Sequence, residues 1–444
     1  MAEKGRVAIV SLGCSKNQVD SEVMGWRLKE AGYRLVSDPE EGDIAIVNTC
    51  GFINPAKEES IETILELVEL KKEGKLKKVG VVGCLSERYR EELIKEIPEV
   101  DFWAGVGEFG IIDQILERGE KAHFSGKTFL IGREGRVIFN SPFHAYIKLS
   151  EGCNQKCAFC AIPNFKGKLV SRPIPQILEE VERLTEQGYR DFSLIAQDSS
   201  SYLWDRGERE GLIKLIKELD RFKGATFRIQ YLYPNTTSIP LLEAILESPV
   251  VESYFDLPLQ HISPTVLKKM KRDIPRRKLE ELIKFITSYG HFRRTTLLVG
   301  HPGEGEEEFR QLKEFVAEGL FDRIALFQYS DEEGTTAYNY PPSEKVPPEV
   351  AARRIEELGE LIQKVEQERL DRLVGRQVVG YLEGLSPDQL FYLARPTFWS
   401  PEIDGEILIN DLSPELEKVE VGGKYRIEIT QRAGGELLGT LLPL

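Results

Sequence analysis

Three cysteines that each follow a short β-branched apolar run constrain the fold of this chain more than any other feature. Cys14 ends Val-Ala-Ile-Val-Ser-Leu-Gly-Cys, Cys50 ends Ile-Ala-Ile-Val-Asn-Thr-Cys, and Cys84 ends Val-Gly-Val-Val-Gly-Cys, at spacings of 36 and 34 residues. Such runs are typical of strands buried on both faces. A period of about 35 residues is the length of one strand–helix repeat, so the strands should be parallel.

The chain between and after these cysteines completes a parallel α/β domain. Its further predicted elements are helices Ser21–Ala31 and Ser60–Lys72, a strand Asp101–Val106 and a helix Ile111–Arg118. Loops beyond the carboxyl ends of parallel strands share one edge of the sheet, where ligands bind. We therefore expect the three cysteines to converge in a Rossmann- or flavodoxin-like domain spanning residues 5–120, followed by a polar linker over 119–136.

Three thiolates at one place suit zinc or an iron–sulfur cluster. Iron–sulfur clusters generally take four ligands, so a trio leaves one iron open to a substrate or a sulfur species. Zinc would normally recruit a fourth Cys or His, and none of the five histidines lies beside these loops in the sequence. A single buried Cys is often only a small hydrophobe, but three at the same place in three repeats favour a shared ligand.

The other three cysteines, Cys153, Cys157 and Cys160, form a compact Cys-x3-Cys-x2-Cys motif. This spacing matches neither the zinc patterns nor a ferredoxin run of four cysteines. A loop this short can supply three thiolates to three irons of one cubic cluster and leaves the fourth iron open. With the strand pattern Ala145–Leu149 before it and Phe159 before its last cysteine, the motif is similar to that of the radical S-adenosylmethionine superfamily.

That resemblance implies a specific chemistry for the compact trio. In the superfamily, the amino and carboxylate groups of S-adenosylmethionine occupy the open iron. Electron transfer from the cluster then cleaves the sulfonium to a 5′-deoxyadenosyl radical, which abstracts hydrogen from an unactivated carbon.

Six strand patterns separated by helices follow the linker. They are Ala145–Leu149, Phe192–Ala196, Phe227–Tyr231, Ser253–Leu257, Thr295–Val299 and Arg323–Tyr329, with helices such as Ile177–Gln187 and Leu212–Phe222. Six repeats are too few for a closed eight-fold barrel, so residues 138–372 are predicted to form an open partial (β/α)6 barrel with its site at the strand carboxyl ends. Cys153, Gln197, Gln260 and Gly300 fall just after such ends.

The last part of the chain changes pattern. A long amphipathic helix is predicted over Pro347–Leu373 and ends before Gly375. Five short strand patterns with Gly and Pro turns follow, namely Val378–Leu382, Leu390–Ala394, Gly405–Ile409, Tyr425–Thr430 and Glu436–Leu441. They indicate a small all-β, OB-like barrel over residues 375–442.

With both trios present, the chain from about residue 5 to 440 resembles the methylthiotransferases, which include a tRNA-modifying MiaB type and a ribosomal-protein-modifying RimO type. The C-terminal barrel resembles their TRAM module. The stretches that resemble the RimO type are Gly13–Asn17, Asp20–Glu22, Ala196–Asp198, Asp256–His261, Tyr329–Thr335, Ala394-Arg395 and Pro401–Gly405. One stretch departs from the family: Gly-Phe-Pro-Gly-Glu-Thr reads Gly300-His301-Pro302-Gly303-Glu304-Gly305 here, which puts in doubt any contact of the Phe or Thr side chains.

The RimO-type resemblance implies methylthiolation of the β-carbon of an aspartate in small-subunit ribosomal protein S-twelve. It assigns one 4Fe-4S cluster to Cys153, Cys157 and Cys160 and a second to Cys14, Cys50 and Cys84, the latter presenting an external sulfur species. Two equivalents of S-adenosylmethionine are consumed, an electron donor of flavodoxin or ferredoxin type is needed, and no catalytic side chain beyond the cluster ligands is implied. Gln197, Gln260, Gly300 and Gly303 are candidate cofactor contacts.

Charge separates the two possible substrates. The formal net charge is −14, and residues 375–444 hold six Lys and Arg against eleven Asp and Glu. An acidic module suits a very basic ribosomal protein, whereas an RNA-binding module should carry a basic stripe with stacking aromatics. The pair Phe398-Trp399 is therefore interpreted as packing. The basic run Lys268–Lys278 is interpreted as a solvated helix end, although it keeps tRNA adenosine methylthiolation as an alternative.

The composition indicates the cellular compartment of the protein. A third functional hypothesis also stays open. Six cysteines are too few for a disulfide scaffold, no apolar run approaches the roughly 18–20 residues of a membrane span, and the first residues lack a signal-peptide layout. We expect a cytoplasmic protein with no membrane partner. A non-enzymatic iron–sulfur carrier is the remaining alternative, although a carrier needs no cofactor-sized cavity.

Overall fold

The structure is a computed structural model that describes residues 3–444. The first part of the chain contains β1 (Arg6–Ser11), α1 (Ser15–Glu30), β2 (Arg34–Val36), β3 (Ile44–Thr49), α2 (Asn54–Lys72), β4 (Lys78–Gly83), α3 (Cys84–Arg88), α4 (Arg90–Glu96), β5 (Phe102–Ala104), α5 (Ile112–Arg118) and β6 (Ala122–His123). These strands form one sheet in the order β2-β1-β3-β4-β5-β6, and every neighbouring pair is parallel, which confirms the predicted class.

Two details of this domain differ from the prediction. Helix α1 begins at Ser15 rather than Ser21, and its first half buries polar side chains, including Asp20 and Glu22. That polarity hid the helix from an apolar-periodicity argument, because the buried face packs on charged partners in the next domain. The segment 119–136, predicted as a polar linker, contributes β6 to the sheet and buries Ile131.

The central part contains β7 (His144–Lys148), β8 (Ser150–Glu151), α6 (Ile162–Lys166), β9 (Val170–Ser171), α7 (Ile174–Glu186), β10 (Asp191–Ile195), α8 (Gly211–Leu219), β11 (Thr226–Ile229), α9 (Ile239–Glu247), β12 (Tyr254–Asp256), α10 (Pro264–Lys269), α11 (Arg276–Tyr289), β13 (Phe292–Val299), α12 (Glu306–Ala317), β14 (Arg323–Gln328) and α13 (Pro348–Asp371). Six parallel strands form two three-stranded sheets, β11-β10-β7 and β12-β13-β14. A parallel bridge between Phe227 and Val251 joins the two sheets, so the barrel is open and partial, as predicted.

The barrel core lies between these strands and their covering helices. Helix α7 shows why the sequence folds this way: a proline occupies its first turn, and Ile177, Val181 and Leu184 recur at helical spacing and are buried. Helix α13 runs for 24 residues but is too charged to span a bilayer. None of the other helices within residues 3–444 combines the length and the apolar character that a membrane span requires.

The last part of the chain contains β15 (Gln377–Leu385), β16 (Tyr392–Pro396), β17 (Ile407–Leu412), β18 (Lys424–Ala433) and β19 (Glu436–Leu442). They form a closed barrel in the order β15-β16-β17-β19-β18, with β15 pairing antiparallel to β18 to complete it. Trp399 is only 2% exposed and its ring lies 6.1 Å from that of Phe292. The predicted packing role of this aromatic is confirmed.

The small barrel covers the amino ends of the central strands. Arg395 pairs with Asp191, the first residue of β10, at 2.6 Å. The Tyr381 hydroxyl donates to the hydroxyl oxygen of Thr226, the first residue of β11, at 2.9 Å. This end of the barrel is therefore closed, and only the opposite end, where the strands terminate, faces the N-terminal sheet.

Candidate active site

The dispersed cysteines lie side by side at the carboxyl edge of the N-terminal sheet. Cys14 stands between β1 and α1, Cys50 directly follows β3, and Cys84 directly follows β4 as the first residue of α3. Because β1, β3 and β4 are adjacent, the three loops are neighbours. Gly13 has φ +85°, and a Cβ there would lie 2.7 Å from the Cβ of Cys50. The Cys84 thiol contacts the side-chain oxygen of Asn17 at 3.5 Å.

Burial favours the protonated thiol at two members of this trio, Cys50 and Cys84. Cys14 is exposed, Cys50 is half-buried and Cys84 is buried. Burial raises the pKa of Cys50 to about 11 and that of Cys84 to about 12. At neutral pH these thiols stay protonated until a metal displaces the proton, so metal binding releases protons here.

The compact trio lies on the loop that joins β8 to α6. The short antiparallel ribbon of β8 and β9 closes the base of this loop, and the Cys153 amide donates to the carbonyl of Gly167 at 3.1 Å. Burial raises the pKa of Cys153 and of Cys160 to about 12 in each case. The loop therefore presents three thiols from a fixed frame at the carboxyl end of the barrel.

A cavity of about 250 Å³ lies where the two parts of the chain meet. All three cysteines of the compact trio contribute to its wall. Lys16 and Phe52, each two residues beyond a cysteine of the dispersed trio, line the same cavity. The N-terminal sheet and the barrel thus turn their carboxyl edges toward one chamber: the compact trio lines it, and the loops that carry Cys14 and Cys50 reach it through Lys16 and Phe52.

The four predicted cofactor contacts divide into two pairs. Gln197 and Gln260 line the cavity, and the Gln197 amide donates to Glu151 at 2.5 Å. Gly300 and Gly303 lie outside its wall. The Gly300 amide donates to the buried carboxylate of Glu304 at 3.1 Å, and the Gly303 amide to a backbone carbonyl at 2.9 Å. The loop is therefore held by its own side chain, and a cofactor contact by these glycines stays a prediction.

Two residues of the cavity wall have strained backbones. Tyr231 has φ 64° and Gln260 has φ 68°, in the left-handed region that non-glycine residues rarely adopt. Such strain persists only where surrounding structure enforces it, and it clusters at functional sites. The sequence pattern placed Tyr231 at the end of a strand and gave no signal for either conformation.

A buried ion network beneath the cavity was not predicted. Lys148 lies 2.5 Å from Asp20 and 2.8 Å from Glu151, and Lys166 lies 3.4 Å from each carboxylate. Burial alone would raise the pKa of Glu151, but the two lysines outweigh that cost and hold it well below its usual range. The network fastens α1 to the loop of the compact trio. The sequence signal was present, since Glu151 and Lys166 flank that motif.

Arg272 corrects the interpretation of the basic run as wholly solvated. This residue is buried, and its guanidinium lies 3.3 Å from the Cys157 sulfur and 4.3 Å from the centre of the Tyr233 ring. Lys268, Lys271, Arg276 and Arg277 are exposed, as expected for helix ends. One cation of the run therefore belongs to the cavity wall.

Each donor set is a trio of free thiols, which suits an iron–sulfur cluster and leaves one iron without a protein ligand. Within residues 3–444, no group of three or more His, Cys, Asp or Glu side chains is arranged to hold one metal ion. A zinc ion would draw its ligands to about 2.1–2.3 Å from one centre. A cubic cluster instead binds each thiolate on a different iron, so its ligands stand farther apart.

Comparison with protein families divides the chain into three matches. Residues 6–105 match an uncharacterized protein family, UPF0004, residues 147–316 match the radical SAM superfamily, and residues 374–442 match the TRAM domain. Among curated relatives, the ribosomal protein uS12 methylthiotransferase RimO of Nitratiruptor sp. is 49% identical over 98% of this chain and 99% of its own. The protein of the same name from Wolinella succinogenes is 50% identical over 98% of each chain.

A solved structure shares the fold at much lower sequence identity. The radical S-adenosylmethionine methyltransferase TsrM from Kitasatospora setae, solved with tryptophan substrate and an S-adenosylmethionine analogue bound, superposes with a TM-score of 0.56 at 14% identity. The similarity covers 72% of each chain. At this identity the match supports a common architecture.

Proposed function

Because the chain belongs to the family of ribosomal protein uS12 methylthiotransferases of RimO type, we propose that it attaches a methylthio group to the β-carbon of an aspartate in uS12, which is protein S-twelve of the small ribosomal subunit. One observation carries the proposal: of two cysteine trios, each one ligand short of a four-iron cluster, the compact trio lines a cavity that Lys16 and Phe52, from the loops of Cys14 and Cys50, also line. A β-carbon C–H bond is inert to acid–base chemistry, so a site with two open irons matches the reaction.

The cofactors of this enzyme are two 4Fe-4S clusters and S-adenosylmethionine. When bound, they supply the hydrogen-abstracting radical, the sulfur to be inserted and the methyl group. We assign the S-adenosylmethionine-binding cluster to Cys153, Cys157 and Cys160, and the sulfur-presenting cluster to Cys14, Cys50 and Cys84. Two equivalents of S-adenosylmethionine and an external sulfur species are consumed in each turnover.

The other residues of the site bind the cofactor and hold the two cysteine trios in place. Gln197 and Gln260 hold the cofactor from the cavity wall, and Gly300 and Gly303 shape the adjoining loop. The buried ion network fixes α1 against the compact trio, so the two trios keep one separation. No side chain other than the cysteines takes a catalytic role.

Charge supports the protein substrate. The net charge of −14 and the acidic C-terminal module attract a basic ribosomal protein and repel a phosphate backbone. A uS12 substrate, free or within the ribosomal subunit, places the reaction in the cytoplasm. An electron donor of flavodoxin or ferredoxin type would reduce the cluster that holds S-adenosylmethionine.

The substrate assignment has a direct test. Reconstituted, dithionite-reduced protein is incubated with methyl-labelled S-adenosylmethionine and either uS12 or bulk tRNA. We expect label in uS12, localised by mass spectrometry to one aspartate, together with 5′-deoxyadenosine. Label in tRNA alone would assign the chain to the MiaB-type reaction, and absence of 5′-deoxyadenosine would leave an iron–sulfur carrier.

A further inference from the structure

The cavity contains a cation that the protein does not neutralise. Lys16 lies in the first turn of α1, two residues after Cys14, and lines the cavity. Its ammonium nitrogen lies 4.2 Å from the centre of the Tyr231 ring. None of the ion pairs formed among residues 3–444 includes this lysine. Its positive charge therefore faces the cavity without a carboxylate.

The nearby carboxylates are already engaged. Asp20 and Glu151 both pair with the two lysines of the buried network. Asp256, inside the barrel below Tyr231, pairs with Arg294 at 3.2 Å. Since each of these acids has its own partner, none of the three is left to pair with Lys16, and a bound carboxylate would meet an ammonium that forms no ion pair.

Surrounding contacts hold the backbone of Tyr231 in a strained conformation. The residue is held at φ 64°, and its carbonyl accepts a hydrogen bond from the Ser199 amide at 3.0 Å. The ring thereby offers the lysine a cation–π contact, which is weaker than a partly buried ion pair. An incoming carboxylate could bind the ammonium without breaking any ion pair of the protein.

We propose that Lys16 binds the side-chain carboxylate of the substrate aspartate and selects an acidic residue for methylthiolation. The inference rests on the proposed function and adds a specificity-determining residue to it. The aspartate carboxylate is bonded directly to the β-carbon, so anchoring the carboxylate fixes the reacting CH2 group one bond away. A neutral adenine or asparagine supplies no anion and leaves the lysine desolvated and unpaired.

A double-mutant cycle between enzyme and substrate tests this pairing. Two uS12 peptides, with Asp or with Asn at the target position, are titrated into reconstituted holoenzyme by anaerobic calorimetry. We expect the wild type to prefer the Asp peptide by about 10-fold or more and Lys16→Met to lose that preference. Lys16→Arg should regain part of it. Lys29→Met, on the exposed face of the same helix, is the matched control and should keep the wild-type preference.

The possible outcomes test the role of Lys16 separately from the proposed methylthiotransferase activity. If the wild type modifies the Asp peptide while Lys16→Met keeps the full preference, the role of Lys16 is wrong and the proposed function stands. If Lys16→Met lowers the affinity for both peptides equally and also weakens S-adenosylmethionine binding, Lys16 binds the cofactor carboxylate and the inference is wrong. A wild type that neither prefers nor modifies the Asp peptide would overturn both.

Discussion

Glycines determine how closely the loops of the dispersed trio approach one another. A Cβ at Gly51 would lie 2.8 Å from the backbone of Leu85, so only glycine lets the Cys50 loop lie against α3. Gly13 combines a close approach to Cys50 with a left-handed backbone. The site of this trio thus depends on residues that carry no chemistry themselves.

Gly13→Ala should impair the dispersed trio selectively. The new methyl would crowd the Cys50 side chain at 2.7 Å while the backbone is held at φ +85°. We expect iron content after reconstitution to fall from about eight to about four per chain. Gly74→Ala is the matched control, because that glycine has φ +79° and a methyl group added there would meet no atom within 4 Å. Equal iron loss in both variants would point to backbone strain instead of crowding.

His144 should make the protein sensitive to acid. Burial lowers the pKa of His144 to about 3, from 6.5 for the unfolded chain. Below pH 6.5 the unfolded state takes up a proton that the folded state refuses, so stability falls by up to about 1.4 kcal/mol per pH unit until the pH reaches the folded value. His144→Gln should flatten this decline in urea midpoints between pH 7 and pH 5.

His291 provides a control of opposite sign for that titration. The Glu252 carboxylate, 3.8 Å from its ring nitrogen, raises the pKa of His291, so this histidine stabilises the fold at acid pH and loses that effect as the pH rises. His291→Gln should therefore leave the acid decline in place or steepen it. A decline that stays unchanged in His144→Gln would contradict the assignment.

At the scale of elements, the segment 119–136 connects the N-terminal domain to the barrel through a buried side chain. Arg136 is 1% exposed and lies 2.5 Å from Glu22 of α1 and 2.6 Å from Glu180 of α7. One side chain thus joins a helix of the N-terminal sheet to a helix of the barrel. Together with the ion network around Lys148, it holds the two faces of the cavity at a fixed separation.

Arg136→Met should weaken the whole N-terminal half. Removing the guanidinium leaves the buried Glu22 carboxylate without a cationic partner, although Glu180 keeps Arg172, and breaking such a buried pair typically costs about 3–5 kcal/mol. We expect the first urea transition to move to clearly lower denaturant. Arg133→Met, three residues earlier, removes an exposed pair with Glu179 and should cost about 0–1 kcal/mol. Similar shifts in the two variants would show that burial of Arg136 has no special weight.

The elements that the sequence predicted share one property: their apolar spacing reflects burial in their own domain. Strands β1, β3 and β4, the six barrel strands and helix α7 follow from such patterns. The start of α1 and the segment 119–136 did not, because Asp20, Glu22 and Arg136 are buried against another domain. The sequence does not distinguish a polar residue that is buried against a distant part of the chain from a polar residue that is exposed to water.

The residues of the candidate site likewise fall into those that the sequence predicted and those that it did not. Cysteine spacing predicted both trios, because the ligand residues themselves carry the pattern. The strained backbone of Tyr231 and the buried Arg272 depend on tertiary contacts within the barrel, and the place of Lys16 against Tyr231 depends on the meeting of two domains. No local signal marks them. The domain limits 5–120, 138–372 and 375–442 stay predictions, placed at changes of pattern.

At the scale of the molecule, the two terminal modules pack on opposite ends of the central barrel. The C-terminal barrel closes the amino end of the central strands through Arg395 and Asp191. The N-terminal sheet covers the carboxyl end and brings Lys16 and Phe52, which lie in the loops of Cys14 and Cys50, to the cavity. One end of the barrel is therefore closed, and the other opens on a cavity lined by the compact trio, where the proposed function places its clusters and substrate.

Iron content tests the two-cluster site most directly. Anaerobically reconstituted wild type, Cys14→Ala and Cys153→Ala are compared for iron and sulfide per chain. Two independent clusters predict about eight irons in the wild type and about four in either variant. Zinc in either site, or loss of all iron from both variants, would contradict two separate four-iron clusters bordering one cavity.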